Sequence, residues 1–232
     1  MFKDFEDRFS PKSIADIVYS DDAKKELLED LVSGARPFPV TAGKCGVLLY
    51  GLPGTGKSAL ARLLPDAIEQ ARGGTAANAN FVRVQQGSNG MKMLNGLQQR
   101  ATLMPWGLFN YFVLDEVDNL TDDAMPVLKS VMNYPKTLWV MTTNNIGKID
   151  SAVRDRCHCI PFNAAPAARW RPLARRILQH ARVSGISDAQ LDAVIAPFNG
   201  SARDITDAIV ALANNVHRNN AAKLAAAQPS VV

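Results

Sequence analysis

The stretch GVLLYGLPGTGKS, residues 46–58, decides how this chain is read. Val47 to Tyr50 form an apolar run between glycines, the mark of a short strand buried on both faces. From Gly51 to Ser58 the spacing is G-x-x-x-x-G-K-S, the pattern of a phosphate-binding loop. Glycines let such a loop curl closely around an anion, so that several backbone N–H groups point inward. The next residues, KSALARLLPDAIEQA, read as a helix whose N-terminus faces the same anion, with Pro65 expected to kink it. Lys57 adds a point charge for the β- and γ-phosphates, and Ser58 offers a hydroxyl to Mg²⁺. Gly51, Pro53, Gly54, Thr55, Gly56, Lys57, Ser58 and Ala59 are therefore expected to hold the phosphates of ATP.

Working outward, LFNYFVLDEVD (108–118) is a second apolar run, and it ends in carboxylates. Alone, this would equally be an acidic strand cap. Downstream of a phosphate-binding loop it predicts Asp115 as the residue holding Mg²⁺ and Glu116 as the one orienting or deprotonating the attacking water. A third run, TLWVMTTNN (137–145), ends in Thr142, Thr143, Asn144 and Asn145, either a simple turn or an amide placed near the γ-phosphate. FVRVQQ (81–86) and CHCIPF (157–162) complete the strands, and helical spacing fills the intervals, including 91–104 and the stretch after Thr121.

Strands alternating with helices, apolar throughout, predict an α/β fold of the P-loop NTPase kind: a parallel sheet with helices on both faces. After Pro166 the strand signals stop. Residues 167–184, 187–197 and 201–219 read as helices. The expected organisation is a nucleotide-binding domain over 1–163, a small all-helical lid over 164–219, and a low-complexity tail over 220–232 that frays.

Two constellations carry less. Cys157-His158-Cys159 lies on a strand, where His158 points away from both cysteines, and no second cysteine pair completes a zinc site. Arg169, Arg171, Arg175, Arg176 and Arg182 form an arginine-rich helix that reads as a solvated face before it reads as a DNA contact.

Composition sets the class. Of 232 residues, 47% are hydrophobic and 21% charged, ordinary for a globular protein. No run approaches the ~20 apolar residues of a membrane span, and the charged start MFKDFEDRFS has no secretory apolar core. Three cysteines fit a reducing cytoplasm. The net charge of +4 permits nucleic acid as a partner without requiring it.

The phosphate-binding loop, DEVD (115–118), TTNN (142–145) and AVRDRC (152–157), in this order, resemble the AAA+ ATPases, and among them the clamp-loader subunits such as the replication factor C small subunits. RFSPKSIADIV (8–18), LTDDAMPVLKSVMNYP (120–135) and NGSARDITDAI (199–209) extend the resemblance beyond the catalytic motifs. It implies Val18 beside the adenine, Asn144 as the polar sensor of the γ-phosphate, and Arg156 as an arginine finger acting on a neighbouring subunit's nucleotide, with Arg154 the near alternative. It implies Arg203 reaching from the lid to the γ-phosphate, Lys129 facing the adjacent subunit, and Asn89 and Lys92 near the DNA. Tyr19 stands where the family usually has glycine, and Asp155 where it has serine. No stretch resembling the family's helical collar follows the lid, so the expectation is a subunit without one. The implied partners are other AAA+ subunits, DNA, and a sliding clamp or other replication protein, with no membrane. The implied work is ATP hydrolysis with Mg²⁺ in DNA replication. The alternatives are another DNA motor or loader, for helicase loading, branch migration or transposition, and a weakly hydrolysing scaffold.

Overall fold

The computed structural model describes residues 8–40 and 43–226. The chain forms two compact units, one from Pro11 to Asn163 and one containing the residues from Ala164 onward together with those just before Pro11.

In the first unit the helices are α1 (Asp22–Ser33), α2 (Lys57–Ala71), α3 (Met91–Ala101), α4 (Ala124–Val131) and α5 (Ser151–Asp155). The strands are β1 (Gly46–Gly51), β2 (Ala79–Arg83), β3 (Asn110–Asp115), β4 (Thr137–Thr143) and β5 (Cys157–Phe162), all parallel, in the order β2-β3-β4-β1-β5. Parallel neighbours need crossovers, and the helices that make them cover both faces of the sheet.

Alternate strand residues feed two cores. Leu48, Phe112, Leu114, Trp139 and Met141 pack with Leu94, Leu97, Leu128 and Val153 of α3, α4 and α5. Val47, Leu49, Tyr111, Val113, Leu138, Val140 and Ile160 pack with Leu28 and Leu31 of α1 and Leu60, Leu64 and Ile68 of α2. Phe112 and Trp139 stack with ring centroids 4.4 Å apart. α2 runs through Pro65 as one continuous helix.

The far end of α2 carries Glu69, fully buried, which accepts the N–H of Leu108 at 2.7 Å and lies where a side chain on Gly107 would have to sit. It ties down the loop between α3 and β3. That loop is apolar yet solvent-facing: Leu103 is 63% exposed, Met104 77% and Trp106 93%.

The second unit holds α6 (Ala167–His180), α7 (Asp188–Ile195) and α8 (Ala202–Ala226). Arg171 pairs with Asp188 and Asp192, and Arg175 with Asp188, so part of the arginine-rich face is spent on joining α6 to α7. Helix α8 continues past residue 219 to Ala226, because AAKLAA keeps high helix propensity. The rest of the tail, 227–232, lies outside the described residues. No helix among the described residues is long and apolar enough to cross a membrane.

Candidate active site

The strand order places the C-terminal ends of β1, β4 and β3 side by side, with β4 in the middle. Open α/β sheets bind ligands at such ends, where the strand order reverses.

At the end of β1 the chain needs backbone angles that L side chains resist. Gly51, Gly54 and Gly56 adopt φ of 126°, 76° and 95°. A Cβ at Gly51 would also lie 2.6 Å from the Phe162 carbonyl oxygen. Lys57 opens α2 and is only 6% exposed. Its ammonium donates to the carbonyl oxygens of Gly51, at 2.9 Å, and of Leu52, while the Thr55 hydroxyl donates to Leu52 at 2.8 Å. Burial lowers the Lys57 pKa from its ordinary value, and Asp115 and Asp118 act against that.

Ser58, the next residue, faces β3. Its hydroxyl donates to Asp115 Oδ1 at 2.7 Å. The same oxygen accepts from the Thr142 hydroxyl of β4 at 2.5 Å. A hydroxyl and a carboxylate this close are the hard oxygen donors that Mg²⁺ takes beside substrate phosphates and water. Among the described residues no three His, Cys, Asp or Glu side chains gather as a denser metal site. The residues present therefore fit a nucleotide-borne Mg²⁺.

Glu116 leaves the strand in the left-handed region, φ 61° and ψ 49°, and its N–H donates to Thr142 Oγ1 at 3.0 Å. Its carboxylate is held by Arg83 from the end of β2, with Nη2 2.7 Å from Oε1 and Nε 3.3 Å from Oε2. This pairing raises the Arg83 pKa. Asn119 Nδ2 stands 3.5 Å from Oε2 and also donates to the Val84 carbonyl at 3.1 Å. Neither Arg83 nor Asn119 is marked by the sequence motifs. The available signal is an arginine ending the strand beside the carboxylate strand, in register with Asp115.

The structure thus brings together Lys57, Ser58, Asp115, Glu116 and Thr142. Asn144 is exposed one residue beyond β4. Arg156 caps α5 and is occupied within the unit: Nε donates to Asn133 Oδ1 at 3.0 Å and Nη1 to the Ala152 carbonyl at 2.9 Å. Arg154 keeps a buried Nε with no hydrogen-bond partner among the described residues. Val18 is half-buried between Ile17 and Tyr19, both buried. Tyr19 packs on Phe162, with centroids 6.1 Å apart, and donates its hydroxyl to Ile14 at 3.0 Å, which gives the ring a structural task where a glycine would have none. Asn89 donates to the Asn119 carbonyl at 2.7 Å, while Lys92 is exposed on α3. Arg203 is exposed on the first turn of α8, in the other unit. On β5, burial raises the Cys157 and Cys159 thiols and lowers His158.

Comparison with known proteins adds to this geometry. The model of AAA, the ATPase family associated with various cellular activities, matches residues 47–162, half of the chain. Replication factor C small subunit 1 of Pyrobaculum islandicum is 28% identical, over 95% of this chain and 66% of that protein. Small subunit 2 of the same organism is 27% identical, over 88% of this chain and 61% of that protein. The chain thus spans less than two thirds of the length of these relatives. Among solved structures, the Thermotoga maritima RuvB Holliday junction branch migration motor has a TM-score of 0.61 at 20% identity, covering 85% of this chain and 62% of that one. The FIGL-1 AAA domain in complex with ADP has a TM-score of 0.62 at 21% identity, covering 96% and 80%. These two likenesses concern the fold.

Proposed function

The chain belongs to the AAA family of ATPases, and from that premise we propose that it is an ATP-hydrolysing, Mg²⁺-dependent subunit of an oligomeric machine acting on DNA, of the sliding-clamp-loader kind. The observation that carries the chemistry is the meeting of Ser58 with Asp115 at the mouth of a glycine loop, with Lys57 behind them and Glu116 next in the chain. The clamp-loader part rests on kinship with replication factor C small subunits along nearly the whole chain.

In this reading the backbone N–H groups from Gly54 to Ala59 and the Lys57 ammonium hold the phosphates. Lys57 then exchanges its carbonyl partners Gly51 and Leu52 for phosphate oxygens. Ser58 and Asp115 hold the cation, which neutralises charge on the phosphate oxygens when bound. Glu116 orients a water and takes its proton as that water bonds to the γ-phosphorus and the bond to the bridging oxygen breaks, leaving ADP and phosphate. Asn144 stands beside the same phosphate. Arg156 leaves Asn133 for a neighbouring subunit's nucleotide, and Val18 borders the adenine. The protein acts in the cytoplasm with other AAA+ subunits, DNA and a sliding clamp.

Mass measurement with a non-hydrolysable ATP analogue, with and without primed DNA and the host's clamp, tests this. A pentamer whose ATPase is stimulated by clamp and DNA together is expected. A hexamer indifferent to the clamp would move the protein to the branch-migration or helicase-loading class. Nucleotide-dependent assembly without hydrolysis would make it a scaffold.

A further inference from the structure

Thr142 lies on β4, paired in register with Leu49 of β1, and is 2% exposed. One hydroxyl there meets both carboxylate residues: it accepts the Glu116 N–H at 3.0 Å and stands 2.5 Å from Asp115 Oδ1. A hydroxyl has one proton, and an ionised carboxylate has none to give. The Glu116 amide supplies its own. The hydroxyl proton is therefore committed to Asp115, and the direction of both bonds is fixed.

Two constraints follow. Glu116 sits at φ 61°, a region that residues other than glycine seldom occupy, and its N–H comes just after β3 has ended. A half-buried N–H in that position needs an acceptor, and Thr142 provides it. Asp115 Oδ1 in turn takes donors from two elements, Ser58 at the start of α2 and Thr142 on β4, which together set the plane of its carboxylate.

We infer that Thr142 is a positioning residue for ATP hydrolysis, its single hydroxyl fixing the Asp115 carboxylate that faces Ser58 and the backbone angle from which Glu116 projects. This rests on the ATPase reading proposed above. Valine has nearly the same shape but would orphan the Glu116 N–H and free Asp115 to rotate. Serine keeps the hydroxyl and drops only the methyl.

The test compares the parent protein with Thr142→Val and Thr142→Ser, using calorimetric titration of a slowly hydrolysed ATP analogue in Mg²⁺ and in chelator, alongside steady-state ATPase kinetics. For Thr142→Val, affinity in chelator stays within about threefold of the parent, while the tightening produced by Mg²⁺ shrinks by about tenfold. Its kcat falls at least about tenfold, with KM changing less. Thr142→Ser restores both the Mg²⁺ response and kcat. Parental values for Thr142→Val would overturn the inference. So would equal losses in both variants with a matching drop in thermal stability, which would assign the effect to methyl packing. A parent whose nucleotide affinity ignores Mg²⁺ would remove the ATPase reading itself and this inference with it, an outcome visible before any variant is compared.

Discussion

Lys57, Glu116 and Arg83 are charged groups set close to the strand ends, and substitution separates their tasks. Lys57→Ala removes the ammonium that the loop keeps buried among carbonyls, and ATP affinity in calorimetry should fall at least about tenfold. Unchanged affinity would dissolve the phosphate-loop assignment. Glu116→Gln keeps the shape of the side chain and should bind ATP as the parent does, while phosphate release drops by about 10²–10⁴. Arg83→Ala should act in the opposite direction. The Arg83 guanidinium occupies both carboxylate oxygens of Glu116, so freeing them to reach a water should raise DNA-independent turnover about two- to fivefold, the modest scale of an exposed pair. The same substitution in a Glu116→Gln background should change nothing. The meeting of these motifs at the strand ends was legible in sequence, because Lys57 and Ser58, and likewise Asp115 and Glu116, are adjacent in the chain, the first pair closing the glycine loop that follows one apolar run and the second ending another. Arg83 was not, since it meets Glu116 across 33 residues of sequence and only through parallel pairing of β2 with β3.

At the level of elements, the interior strands fall where the apolar runs place them, and the departures occur where pairing outranks composition. β2 begins at Ala79 and Asn80, poor strand formers, because both pair with Tyr111 and Phe112 of β3. It is an edge strand, which is why Phe81 stays 54% exposed. β3 stops at Asp115 although the apolar pattern invites continuation through Val117, because Glu116 turns left-handed. Glu69 gave no sequence signal at all: a glutamate in an amphipathic helix reads as surface. Its burial makes a prediction. Glu69→Ala would leave the Leu108 N–H without its acceptor and open a void beneath Gly107, at a cost of about 2–4 kcal/mol in denaturant unfolding. Glu69→Gln, which retains an acceptor oxygen, should cost less. If the alanine variant unfolds at the parent's midpoint, the staple carries no weight.

For the whole molecule, the central question is whether one chain completes its own site. Arg156 rests on Asn133 and the Ala152 carbonyl, and the function proposed above has it act on a neighbouring subunit's nucleotide. Arg156→Ala should bind ATP normally and hydrolyse it poorly, since trans arginines contribute ~10³–10⁵ in rate. Mixed with Glu116→Gln, which keeps a finger but lacks a working site, it should regain part of the activity. If subunits exchange and no activity returns, Arg156 is structural and Arg154 is the next residue to test. The apolar loop held by Glu69 has a consequence for observing such assemblies. Trp139 is fully buried and Trp170 is 3% exposed, whereas Trp106 is 93% exposed. The protein therefore carries one water-facing fluorophore and two shielded ones. Acrylamide should quench only the red-shifted part of the emission, and Trp106→Phe should remove that part. In the parent protein, any partner that covers the loop should shift the Trp106 emission to the blue and protect it from quencher, so that docking at this edge of the sheet can be followed by intrinsic fluorescence without a label.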